Sequence, residues 1–487
     1  MQFKSFLKSV PLMLWAGAVL AACSTNPATG DRQFTALMSP AQENTVGAQE
    51  HQKVIAQYGL YENQTIQNYV QRVGEKVTRD TERPDVKYKF YVIDTPIVNA
   101  FALPGGYIYI SRGLLALANS EAELAAVLGH EAGHITARHS AERYSHAAVT
   151  SIGTNILGAV IGNSAVSQAL GVGGNLYLSS YSRAQENQSD SLGIRYLKNA
   201  GYDPDAMTWF LNNLQNHSSL QSRVDGKSSG PAISYFSTHP ATGERIAKTA
   251  QEAAANGGGQ GTVNREEHMR MVDGIAFGDS EAQGFVQGNR FFHPGLGFSF
   301  NFPQGYKLQN NPTEVVATGT SGAVMLFDMA GNAGRLDPVT YLRQIWMKGE
   351  TRLENVETIA INGMNAATGT MDGRINGKAM TIQLIAIQFK PDVVARFQVG
   401  IPKNLSSAQI DTLKSATYSF RALSESEKNA VKPPRIKIVA AKPGDTATSM
   451  ASDMVVADLK EAHFRVYNAM GPNDSVVAGR LYKIVVQ

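Results

Sequence analysis

His130-Glu131-Ala132-Gly133-His134 places two imidazoles four residues apart with a carboxylate directly after the first. At 3.6 residues per turn, positions i and i+4 share a helix face, so both rings reach a single metal ion. The spacing therefore demands a helix, and the flanking residues supply one. Ser120-Glu121-Ala122-Glu123 has the pattern of a capping box that starts a helix ten residues before the first imidazole. Leu124, Val127, Leu128 and Ile135 then recur at helical spacing, so this helix is expected to bury one stripe. With 10 His in 487 residues, chance yields about 0.01 such five-residue runs. A solvated face with two incidental histidines is a poor account of the pattern.

Two imidazoles and an adjacent carboxylate match the donor set of metal-dependent peptide hydrolysis, in which the rings hold Zn2+ and the carboxylate takes a proton from the attacking water. A third protein ligand should then lie downstream, on an element able to pack beside the first helix. Glu186, within Ser182-Arg183-Ala184-Gln185-Glu186-Asn187-Gln188-Ser189-Asp190, is the candidate. Asp190 stands one turn further on and is placed to hydrogen-bond a ligand imidazole from behind. By itself such an acidic pair is an ordinary helix face; the upstream motif gives it meaning.

Further stretches carry a family resemblance. They are Asn99-Ala100-Phe101-Ala102-Leu103-Pro104-Gly105-Gly106-Tyr107-Ile108-Tyr109-Ile110, then Ser111-Arg112-Gly113-Leu114-Leu115, the His130 helix ending in Arg138-His139, and Ser182-Arg183 with Glu186 and Asp190. Together they resemble the HtpX and CAAX-prenyl-endopeptidase family of zinc metallopeptidases, in its periplasmic lipoprotein branch, over approximately residues 35–255. The resemblance implies His130, His134 and Glu186 as ligands of one Zn2+ per chain and Glu131 as the general base. Ser189 stands where the family usually has Ala. Ser237-Thr238-His239-Pro240-Ala241-Thr242-Gly243-Glu244-Arg245 is similar to another family motif. His239 has two catalytic readings, stabilising the developing oxyanion or occupying the open metal position and holding the enzyme latent, and they predict opposite effects of replacing it. A plain loop histidine before Pro240 is the third reading. Arg245 either supports the transition state or pairs with an acid on its helix.

The N-terminus reads as an address. Lys4 and Lys8 precede an apolar stretch from Val10 to Val19, and Leu20-Ala21-Ala22-Cys23 follows in the form of a lipoprotein processing site. The apolar stretch is well short of the roughly 20 residues that span a bilayer. Cys23 is the only cysteine, which excludes intramolecular disulfides and suits a thiol used for lipid attachment. Ser24 rather than Asp follows it, and the resemblance to sorted lipoproteins implies the inner leaflet of the outer membrane, with the catalytic domain in the periplasm. The formal charge of +3 and the lack of a basic tract give no support to a nucleic-acid role.

From Tyr144 to Ser182 there is no Lys, Arg, Asp or Glu. Polar residues interrupt the stretch too often for a lipid-facing helix, so it reads as a buried helix and a Gly-rich loop, Gly171-Val172-Gly173-Gly174. A lid over the zinc cleft is the expectation, with membrane contact as the alternative. Lys87 to Ile93 and Tyr107 to Ile110 read as strands flanking a Pro-Gly-Gly turn. An exposed edge there would bind an extended polypeptide through its main chain, with little demand on sequence; a covered core hairpin is the other reading.

The expected fold class is an α+β multidomain chain. A lipoprotein signal (1–22) leads into a mainly helical zincin-type peptidase domain with a small edge sheet (23–289). Asn256-Gly257-Gly258-Gly259-Gln260-Gly261 and the turn-rich Phe291 to Gly297 mark its end. An α+β domain (290–423), similar to PsbP-like folds and ending in a helix from Ser407 to Leu413, precedes a linker (424–434). Residues 435–487 resemble a divergent LysM unit, strand-helix-helix-strand, with Tyr467 where Leu is usual; peptidoglycan contact and a spacer role stay open. Two functions are carried forward: a zinc endopeptidase clearing misfolded or stalled envelope polypeptides, and a non-proteolytic chaperone or assembly scaffold for outer-membrane components.

Overall fold

A computed structural model describes residues 24–156, 180–225, 235–240, 242–311, 313–348, 353–375, 377–456 and 458–487. The leader with Cys23, the 157–179 part of the uncharged stretch and hence the expected lid loop lie outside the described residues. The chain divides into two compact units, residues 1–275 with 436–486, and residues 276–435 with Gln487.

In the first unit, α1 (Pro40–Tyr58) starts at a Ser39–Gln42 capping box. Helix α2 (Gln64–Thr78) buries Ile66, Tyr69, Val70, Val73 and Val77 along one face. A three-stranded sheet follows, β1 (Lys89–Ile93), β2 (Ala100–Leu103) and β3 (Tyr107–Ser111), in the order β1-β3-β2. The Pro-Gly-Gly turn joins β2 to β3, which run antiparallel, while β1 pairs with β3 in parallel. The two expected strands are thus parallel neighbours rather than a hairpin, with β1 and β2 at the two edges of the sheet. The hairpin partner is Ala100–Leu103, a short apolar run whose residues are all buried and which shows no alternation. Gly106, at φ 94°, allows the tight approach: a Cβ there would stand 2.5 Å from the Lys87 carbonyl oxygen.

Helix α3 (Arg112–Leu117) leads to α4 (Glu121–Thr136), the helix that carries the two imidazoles. The expected single buried stripe is too little, for all of its residues are buried. The sheet, α2, α6 (Arg183–Asn199) and α7 (Ala206–Asp225) surround it. Its cap also differs from a capping box. Ser120 Oγ accepts from Glu123 N at 3.1 Å, but Glu123 Oε2 accepts from Asn119 N at 2.9 Å, one residue before the cap. Helix α5 (His139–Ile156) precedes α6, and α8 (Gly243–Ala255) and α9 (Arg265–Val272) follow α7.

The glycine run expected as a linker is folded back into this unit. Gly259 N donates to Asp203 Oδ1 at 3.1 Å, and Tyr202 bridges to Thr262. Gly257, Gly259 and Gly261 supply the positive φ angles the turn needs, a use of glycine that composition does not distinguish from flexibility. The C-terminal segment shows the order strand, helix, helix, strand: β4 (Arg435–Ala440), α10 (Ala447–Ser452), α11 (Lys460–Tyr467) and β5 (Leu481–Val486), with β4 paired to β5. It is not a separate body. Residues 436–486 cluster with residues 1–275, and Lys483 Nζ donates to the carbonyls of Ala116, Leu117 and Ala118 at 2.8, 3.2 and 2.6 Å, closing the C-terminal end of α3.

The second unit is built on an antiparallel seven-stranded sheet in the order Glu354–Ile361, Met364–Ile375, Lys378–Lys390, Val393–Pro402, Val324–Gly331, Glu314–Thr318, Lys307–Asn310. Phe300, Phe327, Phe397 and Phe420 fill its core. It begins earlier than expected, at Ala276 rather than residue 290. Phe291, read as part of a boundary, is a core residue on the strand Arg290–His293. The helix expected over Ser407 to Leu413 runs to Tyr418, and the expected linker contains the helix Glu425–Ala430. Among the described residues no helix is long and apolar enough to cross a membrane.

Candidate metal centre

Helices α4 and α6 meet through glycine. A Cβ on Gly133 would lie 3.1 Å from Ser189 Cα, and one on Gly193 would lie 3.1 Å from the His130 backbone nitrogen. Absent side chains at these positions let two backbones approach closely, which carries the first turn of α6 over the second half of α4. Ser182 caps α6 through a reciprocal box with Gln185, and Glu186 follows in that first turn. The small side chain of Ser189, where Ala was expected, fits this seam and sets its Oγ 3.5 Å from His139 Nδ1.

The outcome is a buried donor cluster. One ligand-type atom from each of His130, His134, Glu186 and His239 lies within 4.8 Å of the others. Nε2 of His130 and Nε2 of His134 are 3.0 Å apart, and they stand 3.6 and 3.5 Å from the Glu186 carboxylate. Asp190 Oδ1 accepts from His130 Nδ1 at 2.8 Å, which leaves Nε2 of that ring turned to the centre. Arg245 clamps both acids of α6, with Nε and Nη2 on Asp190 at 2.5 and 2.7 Å and Nη1 on Glu186 at 2.6 Å. Of the two expectations for Arg245, the geometry displays an acid pair, on α6 rather than on its own helix. His239 Nδ1 lies 2.8 Å from Glu186 Oε1 and 3.3 Å from His130 Nε2. His239 is therefore no plain loop residue.

Glu131 is fully buried, and neither of its oxygens has a hydrogen-bond partner among the described residues; His239 Nε2 is 3.6 Å away. Burying a carboxylate so is costly unless a proton or cation meets it. Burial accordingly raises the Glu131 pKa. Burial pushes Glu186 up as well, but the charges of His239 and Arg245 outweigh it and hold that carboxyl well below the ordinary range. Asp190 is likewise raised by burial and brought down further by Arg245. Desolvation keeps His134 well below the usual imidazole value, so its nitrogen stays a lone-pair donor. Two imidazoles, a held carboxylate and a second carboxylate beside them fit a divalent metal ion.

Sequence reasoning gives three neighbours no role, although His139 stands in one of the stretches that carry the resemblance. His139 Nδ1 lies 2.8 Å from His134 Nδ1, and its Nε2 lies 2.6 Å from Gln188 Oε1. His139 reaches back because α4 breaks at Arg138, which adopts φ 60° and whose guanidinium bonds Glu43 and the Met38 carbonyl. Nothing in helical periodicity announces such a left-handed break at Arg. Tyr181 stacks on His134 with centroids 3.8 Å apart, and Tyr235 stacks on His239 at 4.5 Å. Both are isolated tyrosines in sequence, visible only once folded.

Residues 64–253 match the family model of Peptidase family M48. The matched segment contains all four clustered donors and Glu131. The chain is 30% identical over 213 residues to the mitochondrial metalloendopeptidase OMA1 of Schizosaccharomyces pombe, covering 42% of this chain and 59% of that protein. It is 30% identical over 199 residues to the beta-barrel assembly-enhancing protease of Yersinia pestis, covering 39% of this chain and 40% of that one. A further OMA1, from Arabidopsis thaliana, is 32% identical over 203 residues, 41% of this chain and 37% of its own length. The chain thus spans between about a third and three fifths of these relatives. The solution structure of cyanobacterial PsbP from Synechocystis aligns with 27% of this chain and 91% of its own, at 10% identity and a TM-score of 0.23.

Proposed function

We propose that the first unit is a zinc-dependent endopeptidase acting on misfolded or stalled polypeptides of the bacterial envelope, held to the inner leaflet of the outer membrane through lipidated Cys23. What carries the reading is the convergence of His130, His134 and Glu186 beside a buried Glu131 carboxylate that has no hydrogen-bond partner among the described residues. The M48 match and the protease names of the relatives favour it over a non-proteolytic scaffold.

In this reading His130, His134 and Glu186 hold the ion, and Asp190 fixes the His130 ring. Bound zinc polarises the scissile carbonyl and acidifies water. Glu131 takes the proton of the attacking water on a carboxylate oxygen and passes it to the departing amide nitrogen. Arg245 keeps Glu186 and Asp190 ionised. His239 sits among the donors, which favours the latent reading, in which it competes for the open coordination position, over a pure oxyanion role.

The test is cleavage of an unfolded polypeptide such as β-casein by the zinc-loaded chain. Glu131→Gln should lower cleavage roughly 10²–10⁴-fold while zinc content, by elemental analysis, is retained. Unchanged cleavage would remove Glu131 as the base; lost cleavage with function in vivo unchanged would return the scaffold reading. His239→Ala should raise cleavage; a loss instead assigns it to the oxyanion.

A further inference from the structure

Asn26 lies in the turn between the paired strands Ser24–Thr25 and Arg32–Gln33, far from the metal centre in sequence, and is 4% exposed. The main chain fixes its amide. Oδ1 accepts from Ala28 N at 2.9 Å, which leaves Nδ2 to donate to the Ala137 carbonyl at 3.4 Å and to Gln188 Oε1 at 3.3 Å. The other end of the Gln188 amide agrees, since Nε2 donates to Thr29 Oγ1 at 3.3 Å. An oxygen of Gln188 therefore faces His139.

That oxygen dictates the His139 tautomer. Oε1 has no proton to give, so His139 Nε2, 2.6 Å away, carries one and donates it. His139 is 1% exposed and meets no carboxylate at hydrogen-bonding distance among the described residues, so burial keeps it neutral. Its Nδ1 is then a lone-pair acceptor. The donor it faces is His134 Nδ1 at 2.8 Å, while Ser189 Oγ at 3.5 Å is too distant to compete. With its proton on Nδ1, His134 turns the lone pair of Nε2 toward Glu186 and His130, at 3.5 and 3.0 Å.

We infer that His139 is a positioning residue for His134, and that Asn26, acting through Gln188 and His139, sets the tautomer in which His134 can bind a metal ion. The inference rests on the proposed zinc centre. His139 supplies for the second imidazole what Asp190 supplies for the first, with a neutral relay in place of a carboxylate. Each ring nitrogen and amide in the series has one consistent role, so reversing the amide at the N-terminal end inverts the rest.

The full chain, titrated with Zn2+ against a competing chelator and loaded with Co2+ for its visible absorption, tests this. His139→Leu should weaken zinc binding about 10–100-fold and shift the Co2+ bands. His139→Asn places an amide oxygen where Nδ1 stood, and should recover most of that loss together with the wild-type bands. A packing role alone ranks these two variants the other way, because Leu fills the space and Asn buries an amide. Asn26→Asp puts an acceptor opposite Gln188 Oε1, so the amide turns and offers a proton to His139; zinc binding should weaken about 10-fold. Should His139→Leu fail to fold, the half-buried Gln188→Met removes the same acceptor and should change binding in the same direction. Unaltered affinity and bands in His139→Leu, or no recovery in His139→Asn, overturn the positioning role. Unaltered affinity in Asn26→Asp overturns the part given to Asn26. Wild-type zinc affinity in His134→Ala overturns the zinc centre itself, and the inference with it.

Discussion

Helix α4 buries ionisable groups at both ends and meets them with different partners. At its second half, His130 and His134 face Glu186 and Asp190 of α6, and Arg245 of α8 holds both acids. At its first turn, Glu123 is answered by Lys483, on the last strand of the chain. Desolvation is the largest influence on all three carboxylates, yet the results differ in sign. Glu123 is pushed up to about 7, with only the Asn119 N–H and more distant cations pulling the other way. Glu186 and Asp190 are held down, because a guanidinium lies at bonding distance. Burial alone drives a carboxyl toward neutrality; a fixed, directional cation reverses it. One end of the helix is organised to keep charge for a cation, the other to neutralise it in a packing contact.

The largest break in that comparison is Lys483→Met. It leaves the carbonyls of Ala116, Leu117 and Ala118 without this donor and removes one of the two cations that act on Glu123, and should destabilise the first unit by about 3 kcal/mol in denaturant unfolding; a cost near zero would mean that the C-terminal segment is only appended. At the other end, Asp190→Asn removes the negative charge from the acceptor of His130 Nδ1 and one acid of the Arg245 clamp. Zinc affinity measured against a competing chelator should fall roughly 10–100-fold, with little loss if the clamp is ornamental. Between the two lies the glycine seam. Gly193→Ala puts a Cβ 2.6 Å from Met207 Cε and 3.1 Å from His130 N, so it should cost about 1–3 kcal/mol and weaken zinc binding together with stability.

The smallest effect concerns pH. His268 is fully buried, with Nδ1 3.1 Å from Tyr69 Oη and Nε2 3.2 Å from the Leu115 carbonyl oxygen. Burial and then the Lys483 charge lower its pKa from 6.5 to about 3. Its neutral form therefore contributes stability that is full above pH 6.5 and is lost as pH falls toward 3. Between pH 7 and 5.5 the loss should be about 1 kcal/mol, read as a denaturation midpoint. The wild-type minus His268→Gln difference should vary with pH over that window; a constant difference would show that His268 is not held neutral.

How much of this was readable from the chain follows from the range of each interaction. Glu186 and Asp190 were legible because an i, i+4 pair on a second helix is the natural complement of the first. His139 was not, since it depends on a left-handed Arg138 held by Glu43, almost a hundred residues away. The glycine run 256–261 misled because flexible linkers and tight turns use the same residue. The C-terminal segment showed its strand and helix order, while its union with the peptidase portion rests on Lys483, an ordinary lysine in sequence.

The pattern of residues by itself determined that two imidazoles share a helix face with a carboxylate between them, and that an acidic helix follows, because these are consequences of helical pitch. Only the tertiary structure decided that His239 joins the donors and that Arg245 holds both acids. Those outcomes depend on which distant segments exclude water together, and local spacing carries no record of that.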